Sequence, residues 1–243
     1  MAAGLAGPGG HVTLLAVTAV SGSGPYATAA ISPSRVNSLL SRAKRIAEDA
    51  GVPSTTVVDP GSPPVEVILE RASHHHLLAI GAPAISLLGG MLIGSVAAAA
   101  LGRFTTPLLI VRESTTGSLR GRRILVASDG DEGSDHIVEL AGRLGLALNA
   151  HVTLLHAVGR ESQVSHRSIK AQTRALKTIL PDASDASIEP GNASEVIVNA
   201  ATSTEAAMIV MGSRRLHGLR ALGSVSRRVA NDAPCSVLLL PPQ

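Results

Sequence analysis

The apolar positions of this 243-residue chain fall into short runs separated by stretches with helical spacing. HVTLLAV at 11–17 is the first run. Over Pro33 to Ala50, Val36, Leu39, Leu40, Ala43, Ile46 and Ala47 then recur at helical spacing, with Gly51 as the stop, which predicts a helix with those six residues on its core face. VPSTTVVDPG reads as a strand and turn, and PPVEVILERASHHH as a second helix with Pro at its start. LLAIGA reads as a buried strand; a Gly/Ala stretch with an uncharged helix after Gly94 follows, and PLLIVR is a last strand.

The series then repeats. HVTLLHAV at 151–158 returns the first run at an offset of 140. Behind it come a predicted helix over Val164 to Leu180, ASIEPG as strand and turn, and NASEVIVNAATS as helix. AAMIVMGS reads as a strand, followed by a glycine-bearing loop and helix and by CSVLLLPP. Gly61 corresponds to Gly191, Gly81 to Gly212, Gly94-Ser95 to Gly223-Ser224 and Pro107 to Pro234. Strands alternating with helices imply two α/β domains with parallel sheets. These are residues 1–112 and 122–243, joined by the polar, Gly-bearing linker Glu113 to Gly121.

The copies are unequal at their starts. Ahead of its HVTLL run the second copy has a further strand, RRILVASDG, and a helix, Asp135 to Leu148; the first has only MAAGLAGPGG. The first domain is thus expected to lack its opening strand and helix, and, if that strand sits centrally, its sheet must carry a gap or borrow a neighbour. A misassigned start or a truncated chain explains the shortfall equally well.

Composition is that of a globular chain with an aliphatic core: 45% apolar and 16% charged residues, mean hydropathy +0.29, and Tyr26 and Phe104 as the only aromatics. So few rings disfavour recognition by base stacking, hence single-stranded nucleic acid. The single cysteine, Cys235, excludes an intrachain disulfide framework and a cysteine-cluster metal site and suits a reducing, cytoplasmic compartment. At the entrance to an apolar strand it reads as an inert buried thiol. The net charge of +3 adds little. Leu77 to Gly102 is uncharged and long enough to span a bilayer, but Pro83, Gly89-Gly90 and the lack of interfacial aromatics favour a buried strand, loop and helix. The first 24 residues lack the positive start of an export signal.

The second copy resembles a universal stress protein domain nearly end to end, and most of the first copy does too. The resemblance rests on Ser128-Asp129-Gly130 at a strand end, the LLH of the next strand, and the closing GSVS…APC-VLLL. It implies two tandem Rossmann-like domains of the adenine nucleotide alpha hydrolase kind, with five-stranded parallel sheets in order 3-2-1-4-5 and domains paired through their last strands as an intramolecular pseudo-dimer. Separately, the uncharged helix after Gly94 suggests a buried dimer surface, hence a homo-oligomer. In one branch the resemblance further implies ATP bound at the strand ends, and with it a cytoplasmic, non-catalytic role in the stress response is expected.

The family's nucleotide signature is Gly, two residues, Gly, nine residues, then Gly with Ser or Thr; glycines let the backbone approach a phosphate and N–H groups at a helix start hold it. Gly81, Ala84, Gly94 and Ser95 keep that spacing, with Ala for the second Gly. In the second copy Gly212, Gly223 and Ser224 remain, with Val225 next in the helix, but Arg215 replaces the second Gly and the spacer Leu216 to Leu222 is two residues short. The adenosine contacts implied are Ala127, Ser128, Asp129, Ala157 and Met211 in the second copy, and Val17 and Ile80 in the first, which has no Asp to offer.

Each feature also has a plainer reading. Asp129 serves either as a ribose or base contact or as a turn and cap residue ahead of Gly130. Arg214, Arg215, Arg220, Arg227 and Arg228 read first as a solvated basic face, and otherwise as partners of nucleotide phosphates or of a nucleic-acid backbone. His74-His75-His76 on a helix would point in different directions and could not all meet one ion, so no metal is expected. Nucleophile elbow, Walker loop and HExxH are all missing, so no enzyme is expected. The alternatives to an adenine-nucleotide-binding stress protein are a degenerate interaction module that binds no nucleotide, and a slow ATPase.

Overall fold

The computed structural model describes residues 1–7, 9–18, 32–60, 63–82, 94–115, 117–158, 166–213 and 224–242. The chain forms two compact units, Met1–His76 and Leu77–Gln243.

In the first unit a single turn, α1 (Ala2–Ala6), leads to β1 (Val12–Val17), α2 (Pro33–Asp49), β2 (Ser54–Asp59) and α3 (Pro64–Ala72). β1 and β2 pair in parallel, Val12 beside Ser54 through Val17 beside Asp59, as a two-stranded sheet. α2 starts where expected, with Pro33 in its first turn and the Ser32 side chain accepting from the Arg35 amide at 3.4 Å. Gly51 ends it at φ 69°. α3 stops at Ala72, short of the histidines, which lie in turns instead of on the helix. His75 uses both ring nitrogens locally, 2.9 Å from the Arg71 carbonyl and 3.0 Å from Thr13 Oγ1. Arg71 also donates to Asp59 through Nε at 2.9 Å, tying α3 to the end of β2.

The second unit opens with β3 (Leu78–Ala82), α4 (Ser95–Leu101) and β4 (Leu108–Arg112). It continues through β5 (Arg123–Ser128), α5 (Asp135–Leu148), β6 (His151–Val158), α6 (His166–Ile179), β7 (Ser187–Pro190), α7 (Ala193–Ser203), β8 (Met208–Gly212), α8 (Ser224–Asp232) and β9 (Ser236–Leu240). Its seven strands lie in the order β3-β4-β9-β8-β5-β6-β7. From β7 to β9 every pairing is parallel, which is the expected 3-2-1-4-5 order of the second repeat.

The first repeat departs from the expected sheet of its own. β1 and β2 pair with each other, while β3 and β4 extend the sheet of the second repeat, β4 running antiparallel to β9 with Leu108 beside Leu239 and Ile110 beside Val237. In the second repeat β5 is the element that hydrogen-bonds to both β6 and β8, and among the described residues the first repeat has no strand in that place. β3, whose counterpart β8 lies between β5 and β9, is an edge among the described strands, with Ala79 and Gly81 exposed.

The β4–β9 junction is tightly built. β9 is buried at all five positions, and Leu108, Leu109 and Ile110 are inaccessible to solvent. Arg112, at the end of β4 and 1% exposed, donates through Nη2 to the carbonyls of Ala230 and Asn231 at the C-terminal end of α8 (2.6 and 2.7 Å), and its amide donates to Ser236 Oγ at 3.0 Å. Burial holds its pKa below the ordinary arginine value, opposed by Asp232. The linker is no loose tether: Thr115 is buried with Oγ1 2.6 Å from Ser236 Oγ, and Leu119 is buried as well. The helix after Gly94 buries Ala97, Ala100 and Leu101 within this unit.

Glycines on α5 let α6 approach closely. A Cβ at Gly142 would lie 3.2 Å from Leu176 Cδ1, and one at Gly145 would lie 2.5 Å from Val152 Cγ2 and 2.9 Å from Leu180 Cδ2. Gly81 on the open edge strand has nothing within 4 Å, whereas its counterpart Gly212 faces Ile137 of α5 at 2.7 Å. Gly145→Ala is therefore expected to lower stability by about 1 kcal/mol net, overpacking outweighing the helix-propensity gain. Gly81→Ala should leave it within about 0.5 kcal/mol. Urea unfolding midpoints read both, and an unchanged midpoint for Gly145→Ala would refute the packing argument.

Candidate functional site

The implied contacts of the second repeat converge at the C-terminal ends of three neighbouring strands. Ala127 on β5 pairs in register with Met211 on β8, and Ser128 at the end of β5 pairs with His156 on β6, one residue before Ala157. Ala127 and Met211 are buried, Ala157 and Gly212 half-buried. β5 is followed by the step to β6 on one side, while β8 pairs on its other side, so Ala127 and Met211 lie at strand ends where the strand order reverses.

A polar network organises the turn that leaves β5. Gly130 takes φ 75°, a conformation that glycine adopts without strain, and its amide donates to Ser128 Oγ at 3.1 Å. Ser128 Oγ donates in turn to Gln172 Oε1 of α6 at 2.7 Å. Gln172, 2% exposed, sends Nε2 to the Asp131 carbonyl at 3.1 Å and to Asp135 Oδ1 at 2.7 Å, in the first turn of α5. Asp129 Oδ1 accepts from the Asp131 amide at 3.0 Å and from Ser134 Oγ at 2.7 Å. One carboxylate oxygen of Asp129 is thus committed to the turn, as the plainer reading of that residue has it. Gln172 was not singled out from the sequence, because it stands in a polar helix stretch and only the fold brings it under the β5 turn.

His156 is 1% exposed, and neither ring nitrogen has a hydrogen-bond partner among the described residues. Burial lowers its pKa from the ordinary histidine value; the Ser128 backbone and the Asp129 charge oppose this without overcoming it. Burial also pushes the Cys235 thiol up to about 12, leaving it protonated and unreactive, as its place in the sequence suggested.

The remaining contacts are less complete. Ser224 and Val225 begin α8, Val225 half-buried, and Arg227 and Arg228 are exposed on it. Arg214, Arg215, Arg220 and Gly223 lie outside the described residues, as do Ala84 and Gly61. In the first repeat Val17 closes β1 of the first unit, while Ile80 and Gly81 on β3, and Gly94 and Ser95 at the start of α4, belong to the second. Among the described residues no group of His, Cys, Asp and Glu is arranged to hold a metal, and no helix is long and apolar enough to cross a membrane.

The sequence model of the universal stress protein family matches residues 1–112 and again 121–241. The chain is a member of that family, with two copies in tandem. A universal stress protein of Bacillus subtilis, YxiE, is 30% identical over 146 residues, covering 49% of this chain and 97% of the relative. One from Thermus aquaticus is 30% identical over 136 residues, 49% of this chain and 98% of that one. Among solved structures, a universal stress protein from Archaeoglobus fulgidus superposes with a TM-score of 0.68 at 21% identity, covering 96% of this chain and 86% of the other. The family match bears out the resemblance read from Ser128-Asp129-Gly130 and the closing GSVS…APC-VLLL, and with the structural likeness it bears out the tandem α/β fold.

Buried neutral His156 makes stability depend on pH. Its folded pKa lies below the unfolded value of about 6.5, so the unfolded chain takes up the proton first. Stability is then full above that pH and falls as the pH drops through it. Urea midpoints at pH 7 and pH 5 are expected to differ less in His156→Leu than in the wild type; equal pH dependence would remove His156 from the account.

Proposed function

We propose that the second repeat binds an adenine nucleotide, ATP first, in the crevice above Ala127 and Met211. What supports this most is that the residues matching the family's adenosine contacts, Ala127, Ser128, Asp129, Ala157 and Met211, meet at the strand-order reversal of an open α/β sheet. Ala127, Ala157 and Met211 offer the base an aliphatic bed in a chain with almost no aromatic rings. Asp129, held by the Ser134 hydroxyl and the Asp131 amide, faces the sugar. The first N–H groups of α8, at Ser224 and Val225, point positive dipole ends toward the phosphates.

The first repeat carries the other role in this proposal. Val17 lies in one unit and Ile80, Gly81, Gly94 and Ser95 in the other, which favours a structural and interaction module there over a second nucleotide site. Paired through β4 and β9, the repeats act as an intramolecular pseudo-dimer in a cytoplasmic stress response, with nucleotide occupancy passed on to a protein partner. Catalysis forms no part of the proposal, in which Asp131 and Glu132 are residues of the segment between β5 and α5.

Calorimetric titration with millimolar ATP is the direct test. Heat and a raised thermal midpoint are expected, and Ala157→Glu should weaken binding at least about tenfold, the cost of about 1.4 kcal/mol, by putting a charge where the base lies. No heat and no thermal shift would reject nucleotide binding and leave the interaction-module reading. Phosphate release from labelled ATP is expected at the level of an Asp129→Ala control; release well above it would make the protein a slow ATPase.

A further inference from the structure

Ala127, Ser128 and Gly130 are buried, and between them Asp129 is exposed. The backbone of one residue, Asp131, holds that carboxylate in its setting. The Asp131 amide donates to Asp129 Oδ1, and the Asp131 carbonyl accepts twice, from the Ser134 amide at 2.9 Å and from Gln172 Nε2 at 3.1 Å. The Ser134 hydroxyl closes the circuit by donating to the same Oδ1. Gln172 enters this circuit from a different helix, α6.

Packing sets the place of Gln172. It stands one helical turn before Leu176 on the same face of α6, and Leu176, inaccessible to solvent, lies against α5 where Gly142 leaves room for it. Lone pairs and charge set the direction of its amide. Nε2 has two hydrogens and meets two acceptors, the Asp131 carbonyl and Asp135 Oδ1, while Oε1 takes the Ser128 hydroxyl proton. A flipped amide would turn its oxygen against a carbonyl and a carboxylate. Gln172 is buried, so these bonds form out of reach of water, where they hold their partners most firmly.

We infer that Gln172 is a positioning residue for sugar recognition: by holding Asp131 it fixes the Asp129 carboxylate where that group accepts the hydroxyls of a ribose, so that the site selects ribonucleotides over deoxyribonucleotides. The inference rests on the nucleotide reading of the β5 and β8 strand ends. A hydroxyl-to-carboxylate hydrogen bond adds most to affinity when the acceptor is already aimed, because aiming it on binding costs loop and side-chain ordering. Gln172 touches no ligand in this account. It acts through Asp131, and Asp135 orients it.

The test is calorimetric titration of the full chain with ATP and with deoxy-ATP, which lacks one ribose hydroxyl. The wild type is expected to bind ATP at least about tenfold more tightly than deoxy-ATP, the effect of one hydrogen bond to a charged group. Gln172→Met keeps the bulk and removes the donor to Asp131; the preference should fall to within about threefold, chiefly through weaker ATP binding. Should that variant not fold, as its thermal midpoint reads, Gln172→Glu takes its place: it keeps the shape, turns an oxygen toward Asp131 and Asp135, and should lose the preference in the same way. A merely structural role would weaken both nucleotides alike and leave their ratio unchanged. A folded variant that retains the wild-type ratio therefore overturns the inference, as does a wild type that binds both nucleotides equally. A wild type that binds neither rejects the nucleotide reading itself, and the inference with it.

Discussion

Backbone hydrogen bonds along both edges of β5 hold the sheet of the second repeat together. Ile124 to Ser128 pair with Val152 to His156 on one side, and Ile124 to Ala127 pair with Met208 to Met211 on the other. In an order of 3-2-1-4-5 the strand that comes first in the chain lies third in the sheet, so no other strand can bridge the two flanks. Among the described residues the first repeat has no such strand, and its strands form two parallel pairs. One stands as a sheet of its own, and the other finds a new partner in β9. Its side-chain burial follows from that, from the half-buried HVTLL of β1 to the open space around Gly81.

The same strand organises the candidate site. Its last residue, Ser128, is held by Gln172 from α6 and by the amide of Gly130, and Asp129 is anchored by Ser134. Gln172, the Gly130 amide and Ser134 thus fix the β5 turn beside the end of β8. His156 lies under that turn with a cost in unmet hydrogen bonds, and the packing around it keeps it neutral.

Much of this was legible in the sequence where local signals are strong. The repeat, the strand runs, and the starts of α2, α5 and α7 follow from periodicity and from cap residues such as Pro33 and Asn192. Tertiary neighbours were beyond its reach. Leu39 and Ile46 carry the spacing of a core face, yet both are exposed, because spacing alone does not say which elements pack against a helix. Glu113 to Gly121 has the composition of a free linker, yet Thr115 and Leu119 are buried because β4 and β9 draw the two chain ends together. Gln172 entered the site through the register of α6 against α5, which no local motif encodes.

Arg112 adds a consequence for alignment. A leucine-rich strand such as β4 could slide by two residues along leucine-rich β9 and still present the same faces, since apolar contacts discriminate poorly between such positions. The guanidinium breaks that degeneracy. Its Nη2 reaches the carbonyls of Ala230 and Asn231 in this setting of the strands, and a two-residue slip would take a buried cation away from both acceptors, at a cost of about 3 kcal/mol or more. A single buried cation thus serves as the index mark that tells two nearly interchangeable strands where to stop.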